Sequence, residues 1–246
     1  MLAVLGLVIL TATASFAQTW NAASDWGITN PSGQWSYMYH YYGTNGRGLL
    51  DWHQWGDTAQ YVNYSNAGLD AWEYGLQYDS PVVLKNVSGS DVTGFGMVAP
   101  AGKVLVQPSN TGWGFAGWDC LVNVVWTAPA AGTYTYNVTF TGRRTLGSAL
   151  WTYVYKDYNW PIGQPDALQS MDTITANGQS FSHTGTINLL AGQTFDFLVN
   201  NKDSVLLPDN WCQIDATVSL VPEPGTLFAL GTGIFGLAGF AFRRRK

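Results

Sequence analysis

Charge is the first thing this sequence is short of. Only 11% of its 246 residues are Asp, Glu, Lys or Arg, against about a quarter in an ordinary globular protein. Glutamate is almost missing: Glu73 and Glu223 are its only occurrences. Outside the last four residues there is no basic cluster. Between Gln18 and Leu220, fifteen acids stand against seven bases, an excess of eight negative charges. Nucleic-acid binding needs a basic stripe, so no nucleic-acid partner is expected. There are only two cysteines, Cys120 and Cys212, too few for a disulfide framework or a cysteine zinc cage. No Gly-x-Ser-x-Gly elbow, His-Glu-x-x-His or Cys-x-x-Cys occurs, and no segment between Gln18 and Leu220 sustains a helical apolar period. Gly231-Thr232-Gly233-Ile234-Phe235-Gly236 has the letters of a dinucleotide-binding loop. It lacks the strand before it and the acidic residue about twenty positions after it.

What is abundant is aromatic. Phe, Trp and Tyr make up 15% of the chain, with 12 Trp and 13 Tyr, alongside 28 Gly. A disordered chain lacks such rings. Apolar residues alternate over Trp35–Tyr42, Thr133–Thr141 and Trp151–Tyr155. Pro81–Val87, Lys103–Gln107, Leu121–Thr127, Ser180–Leu189, Gln193–Asn200 and Trp211–Leu220 also read as strands. Leu121–Thr127 is nearly all apolar, as a central strand would be. Turn residues sit at Asn45-Gly46, Ala128–Gly132, Asn177-Gly178 and Ala191-Gly192. Many short strands between Gly and Pro turns predict an all-β, antiparallel β-sandwich of jelly-roll type over residues 18–220.

Both ends differ from this body. Leu2–Leu10 is a continuous apolar run that becomes small and polar toward Ala17, which reads as a signal peptide over residues 1–17 cut between Ala17 and Gln18 by signal peptidase. No Lys or Arg follows Met1. Residues 221–246 read Val221-Pro222-Glu223-Pro224-Gly225, then an apolar run to Phe242, then Arg243-Arg244-Arg245-Lys246. Gly225–Phe242 would span roughly 27 Å as a helix, enough for a bilayer core, with the basic cluster on the cytoplasmic side. This order of Pro-Glu-Pro, Gly-rich apolar helix and basic stop resembles the PEP-CTERM family. The resemblance implies an exosortase that recognises and cuts near Pro222, Glu223 and Pro224. It also implies an inner-membrane anchor that lasts until that cut, and a Gram-negative host with exopolysaccharide. A second resemblance lies in the body. Asn30-Pro31-Ser32-Gly33-Gln34-Trp35-Ser36-Tyr37, Val125–Tyr134 and Leu190–Phe197 resemble a family of exported bacterial sandwich proteins whose functional neighbours are lectin-like. Where that family has His-Pro-Gly, this chain has Gln107-Pro108-Ser109, so no role tied to that His is expected.

The candidate sites follow from chemistry and carry their alternatives. Cys120 and Cys212 lie in apolar strand-like runs and would pair in an oxidising compartment; the alternative is two buried thiols. Asp203 and Asp209 flank a segment rich in Asn and are the candidate ligands of a structural calcium, against an ordinary solvated loop; no other cofactor is expected. Asp51–Asp57 reads as an aromatic-rich loop around His53. Within it Trp52 and Trp55 are the candidate carbohydrate-binding rings, since the first third also holds Trp20, Trp26, Trp35 and Trp72. The expected function is a non-enzymatic surface or matrix protein binding exopolysaccharide. The alternative is a secreted carbohydrate-active enzyme, which would need two facing carboxylates; Asp70, Glu73 and Asp79 are the available acids.

Overall fold

The computed structural model describes residues 17–41, 47–49, 51–54, 68–73, 81–94, 97–108, 120–143, 149–157, 168–201 and 210–222. For residues 40, 41, 47–49, 51–54 and 120 it describes the backbone pairing alone. Among the described residues there are sixteen strands and no helix. In chain order they are β1 (Thr19–Asn21), β2 (Trp35–Tyr41), β3 (Arg47–Leu49), β4 (Asp51–Gln54), β5 (Leu69–Glu73), β6 (Val82–Asn86), β7 (Val92–Gly94) and β8 (Met97–Ala99). They continue as β9 (Val104–Gln107), β10 (Cys120–Thr127), β11 (Gly132–Gly142), β12 (Leu150–Lys156), β13 (Leu168–Ile174), β14 (Ser180–Leu189), β15 (Thr194–Asn201) and β16 (Cys212–Leu220).

The last eight strands pair as nested antiparallel partners: β12 with β13, β11 with β14, β10 with β15 and β9 with β16. A long ribbon folded this way and rolled up distributes its strands alternately between two sheets, which is the jelly-roll arrangement. One sheet runs β14-β11-β16-β9 and is extended by β6-β5-β4, with β1 added on β16; the other runs β13-β12-β15-β10 and is extended by β2-β3. Gly178 and Gly192, at φ of 76° and 83°, supply the left-handed backbone that the turns into β14 and β15 require.

Alternation decides what lies between the sheets. Trp35, Tyr37, Val122, Val124, Trp126, Phe195, Phe197 and Val199 from the six-stranded sheet meet Tyr134, Val138, Phe140, Val104, Val106, Ile214, Ala216 and Val218 from the eight-stranded one in a single buried core. The two sheets therefore form a sandwich around one core. At one open side the edge strands β13 and β14 are joined by a hydrogen-bonded pair, Asp172 with His183 Nε2. On the outer face of the eight-stranded sheet, the β7–β8 hairpin covers β5, β6 and β9, burying Leu69, Leu84, Met97, Leu105 and Trp211 in a second cluster. Asn86 holds that hairpin with a full set of side-chain bonds. Its Nδ2 donates to Ser90 O (2.7 Å) and Ala99 O (2.6 Å), and its Oδ1 accepts from Ser88 N (2.9 Å) and Ser88 Oγ (2.7 Å).

Two expectations are corrected here. The Cys120–Cys212 disulfide is not formed: Cys212 is a free thiol, fully buried on the eight-stranded sheet, while Cys120 opens β10 in the other sheet. Disulfide chemistry runs through a thiolate, and burial pushes the Cys212 thiol far up, holding it protonated. Asp51–Gln54 is a strand, not a loop, because its backbone pairs residue for residue with β5.

Candidate functional site

The outer face of the six-stranded sheet is built by three neighbouring strands with the same alternation. In β12, Leu150, Thr152 and Val154 turn inward and are buried, so Trp151, Tyr153 and Tyr155 share the outward face, each half-buried. Their ring centroids stand 6.5 Å and 5.8 Å apart, close to the spacing of about 6.7 Å that a strand imposes on every second residue. In β15, Phe195, Phe197 and Val199 enter the core, leaving Asp196, Leu198 and Asn200 outward. In β10, Val122, Val124 and Trp126 do the same and leave Leu121, Asn123 and Val125.

Register sets these residues side by side. Trp151 stands between Thr173 and Asn200, and Tyr153 between Met171 and Leu198, beyond which comes Asn123. Tyr155 stands between Leu168 and Asp196. The Tyr153 and Tyr155 rings rest on Leu121 and Leu198, while Met171 is 49% exposed at the edge. The face is thus a row of rings over an apolar base, with a row of buried polar groups beside it.

That polar row is unusual in its bonding. Asn123 Nδ2 donates to Asp196 Oδ1 (2.9 Å), and Thr194 Oγ1 donates to Asp196 Oδ2 (2.7 Å). A carboxylate only accepts, so it fixes which end of the Asn123 amide faces it and leaves Oδ1 as the other end. Asn123 is 1% exposed and Asn200 7%, and the Oδ1 of each is buried with no hydrogen-bond partner. Unpaired buried acceptors cost about 1–3 kcal/mol each. Burial also raises the Tyr155 phenol above its ordinary pKa.

The uncovered half of the eight-stranded sheet's outer face has a different chemistry. Its outward positions carry hydroxyls and amides that bond across the strands: Thr133 with Asn188, Thr139 with Ser182, Thr141 with Ser180 and Thr19 with Ser219, each at 2.8 Å. No ring stands among these residues, and their polar atoms satisfy one another.

Of the residues singled out from sequence, few meet on the candidate face. Trp52 lies on β4, paired through its backbone with Trp72; Trp55, Asp79, Asp203, Asp209, Glu223 and Pro224 lie outside the described residues. Trp20, Trp35 and Trp72 are buried in the main core and Trp26 packs against it, so every described Trp ring of the first third is a core ring. Asp70 and Glu73 are three apart on one strand and project from opposite faces of the sheet. Glu73 is 2% exposed, and burial raises its pKa to about 7. Burial also raises Asp70, with Lys85 opposing. Ala17 and Gln18 are exposed, and Gln18 O accepts from Leu220 N at 2.9 Å, so the start of the body lies beside Val221 and Pro222. Trp151, Tyr153 and Tyr155 were visible in sequence as a one-faced aromatic strand. Asn123 and Asp196 gave no signal, because each sits inside an apolar run, and Asn200 read as part of the Asn-rich segment beside Asp203, not as a strand residue.

No curated protein matches the sequence. Among solved structures, the chain is similar to the K1 cleaved adhesin domain of Lys-gingipain from Porphyromonas gingivalis W83, at 11% identity over 85% of this chain and 99% of that one, with a TM-score of 0.34. It is similar to a family 35 carbohydrate-binding module from an environmental isolate, at 17% identity over 58% of this chain and 98% of that one, with a TM-score of 0.25. A third similarity is to the GH26-CBM35 β-(1,4)-mannanase of Podospora anserina, at 17% identity over 59% of this chain, TM-score 0.27; the chain spans 29% of that protein's length. At these identities and scores none of the three assigns a ligand or an activity here. Among the described residues no helix is long and apolar enough to cross a membrane; the apolar run of the tail lies outside them. The tail is matched by its own family model: at residues 220–246 this chain carries a PEP-CTERM protein-sorting motif, the mark of an exported protein sorted by exosortase.

Proposed function

We propose that this chain is a non-enzymatic surface or matrix protein of a Gram-negative cell whose sandwich holds exopolysaccharide on the outer face of the six-stranded sheet. The observation that carries the reading is the row of half-buried rings Trp151, Tyr153 and Tyr155 on the outward side of β12, with successive centroids 6.5 Å and 5.8 Å apart. Aromatic rings accept the C–H faces of sugars, and a few fixed polar groups then choose the hydroxyls. The tail anchors the precursor in the inner membrane until exosortase removes it. The mature protein is expected to begin at Gln18 and to lack Arg243–Lys246, which intact-mass measurement on material from the native host checks. A full-length chain in the extracellular fraction would count against the sorting step.

The enzyme reading has one feature in its favour, the raised pKa of Glu73, which a general acid would need. A glycosidase also needs a second carboxylate across the scissile bond, and Asp70 projects from the other face of β5. Binding without catalysis is the reading this geometry supports better. Trp151→Ala is expected to lower retention of the mature protein on neutral polysaccharide at least about tenfold. Because Trp151 is half-buried on an outer face, the melting temperature should fall by only a few degrees. Unchanged retention by a folded Trp151→Ala protein would remove the aromatic row from the site.

A further inference from the structure

We infer that β14 pairs edge to edge with β14 of a second copy of this chain, antiparallel and centred on Thr184, joining two eight-stranded sheets into one. β14 ends its sheet, with β11 as its one neighbour there. The register fixes which of its backbone groups are free. Val221 N donates to Thr133 O, so the odd residues of β11 bond toward β16 and its even residues toward β14. Gly142 N, donating to Gln179 O at 2.9 Å, agrees with this. The bonds of β14 to β11 are therefore made by Phe181, His183, Gly185 and Ile187. The N–H and C=O groups of Ser182, Thr184 and Thr186 point away from the sheet, and all three residues are exposed. Lys156 Nζ donates to Asn188 O (2.9 Å) and closes the edge at that end.

Proteins guard such edges with bulges, inward charges, lysines or prolines. β13, which ends the other sheet, has two guards. Its pairing with β12 shifts register between Val154 and Tyr155, and its Asp172 stands opposite the inward Thr152. β14 has neither, and from Ser180 to Leu189 it carries no Pro, Lys, Arg, Asp or Glu. What this edge offers also matches itself. With Thr184 opposite the partner's Thr184, Ser182 falls opposite the partner's Thr186, and three residue pairs exchange about six backbone bonds. These pairs set hydroxyl against hydroxyl on the outward face, as Thr139 with Ser182 and Thr141 with Ser180 already do within the sheet at 2.8 Å. On the inward face Phe181 falls opposite the partner's Ile187, an aromatic and β-branched pair. His183 falls opposite the partner's Gly185, which has no side chain to meet it. No like charges oppose each other along the pair. A foreign strand would need this pattern by chance, whereas a second copy supplies it by two-fold symmetry.

Sedimentation velocity of the mature protein at about 0.15 M salt, where charges are screened beyond about 8 Å, tests this. The expected result is a reversible dimer with a Kd of about 10–100 µM, as suits a small transient interface. Thr184 is exposed, so its variants should fold and melt within a few degrees of the wild type. Thr184→Lys and Thr184→Glu each set like charges directly across the two-fold axis, and each should weaken the dimer about fivefold or more. An equimolar mixture of the two should dimerise again. Thr184→Cys should crosslink to its own copy under mild oxidation, because the paired Cα atoms stand about 5.5 Å apart, within disulfide reach. Ser180→Cys should not, because the two Ser180 positions lie about 27 Å apart along the paired strands. The buried Cys212 is common to all variants, and the wild type is the control. A monomer at every concentration up to about 1 mM overturns the self-pairing and leaves the edge to a foreign strand. Ser180→Cys crosslinking as readily as Thr184→Cys, or a mixture that dimerises no better than Thr184→Lys alone, overturns it as well. None of these readouts involves a glycan, so the pairing stands or falls separately from the binding reading.

Discussion

Trp126→Ala is expected to destabilise the sandwich by about 3–5 kcal/mol, as the loss of a large buried ring usually does. Trp126 is completely buried in the middle of the core. It touches the Trp20 ring, with centroids 5.1 Å apart, and meets the Tyr134 ring edge-on at 4.9 Å. The substitution opens a cavity where both sheets and β1 meet, and it removes the support under Trp20, whose strand is only three residues long. Against a total stability of about 5–15 kcal/mol, this leaves a marginal protein. Trp126→Phe should cost far less, about 1 kcal/mol, because it keeps most of the ring and removes an indole N–H that has no partner. Urea unfolding midpoints at constant slope check both. A loss under about 1 kcal/mol for the alanine variant would mean the core collapses around the gap.

Stability is also expected to fall as pH rises, with Glu73 as a principal cause. Its folded pKa is raised from 4.5 to about 7 by burial. Below about pH 4.5 the carboxyl is protonated in both the folded and the unfolded chain, and the neutral group tolerates burial. Between 4.5 and about 7 the unfolded chain gives up its proton while the folded one keeps it, so unfolding becomes easier. The full loss is about 3 kcal/mol, at 1.36 kcal/mol per pKa unit, and it levels off above about pH 7. Glu73→Gln should flatten this part of the profile and stabilise the protein at neutral pH. Urea unfolding at several pH values across that window decides it, and an unchanged slope in the variant would assign the dependence to other groups.

The strand pattern was legible wherever one face of a strand is buried and the other is not. Ser180–Leu189 is β14 residue for residue, and Leu121–Thr127 is all of β10 but its first residue, because alternation in a half-buried strand and an apolar run in a doubly covered one are local properties. The weak elements were missed for equally local reasons. β13 is an edge strand with a polar and exposed sequence. β5 carries Asp70 and a buried Glu73, which no hydropathy pattern assigns to a strand covered on both faces. The described tryptophan rings of the first third fill the core, and the platform candidates Trp52 and Trp55 are not among them. A ring reads the same in sequence whether it is covered or not.

The amino-acid sequence by itself determined the all-β class, the turns, the inward and outward sides of the long strands, and the sorting motif at the C-terminus. Each depends on neighbouring residues alone. Only the tertiary structure decided what lies across each strand and which outward residues are buried. Trp151 and Asn200 become neighbours because β12 pairs with β15, and Asn123 meets Asp196 because β15 pairs with β10. The hairpin β7–β8 covers half of one face and leaves the hydroxyl-bearing half open. Cross-strand pairing joins residues far apart in the chain, so the energy that creates such a face comes from long-range contacts that no local pattern encodes.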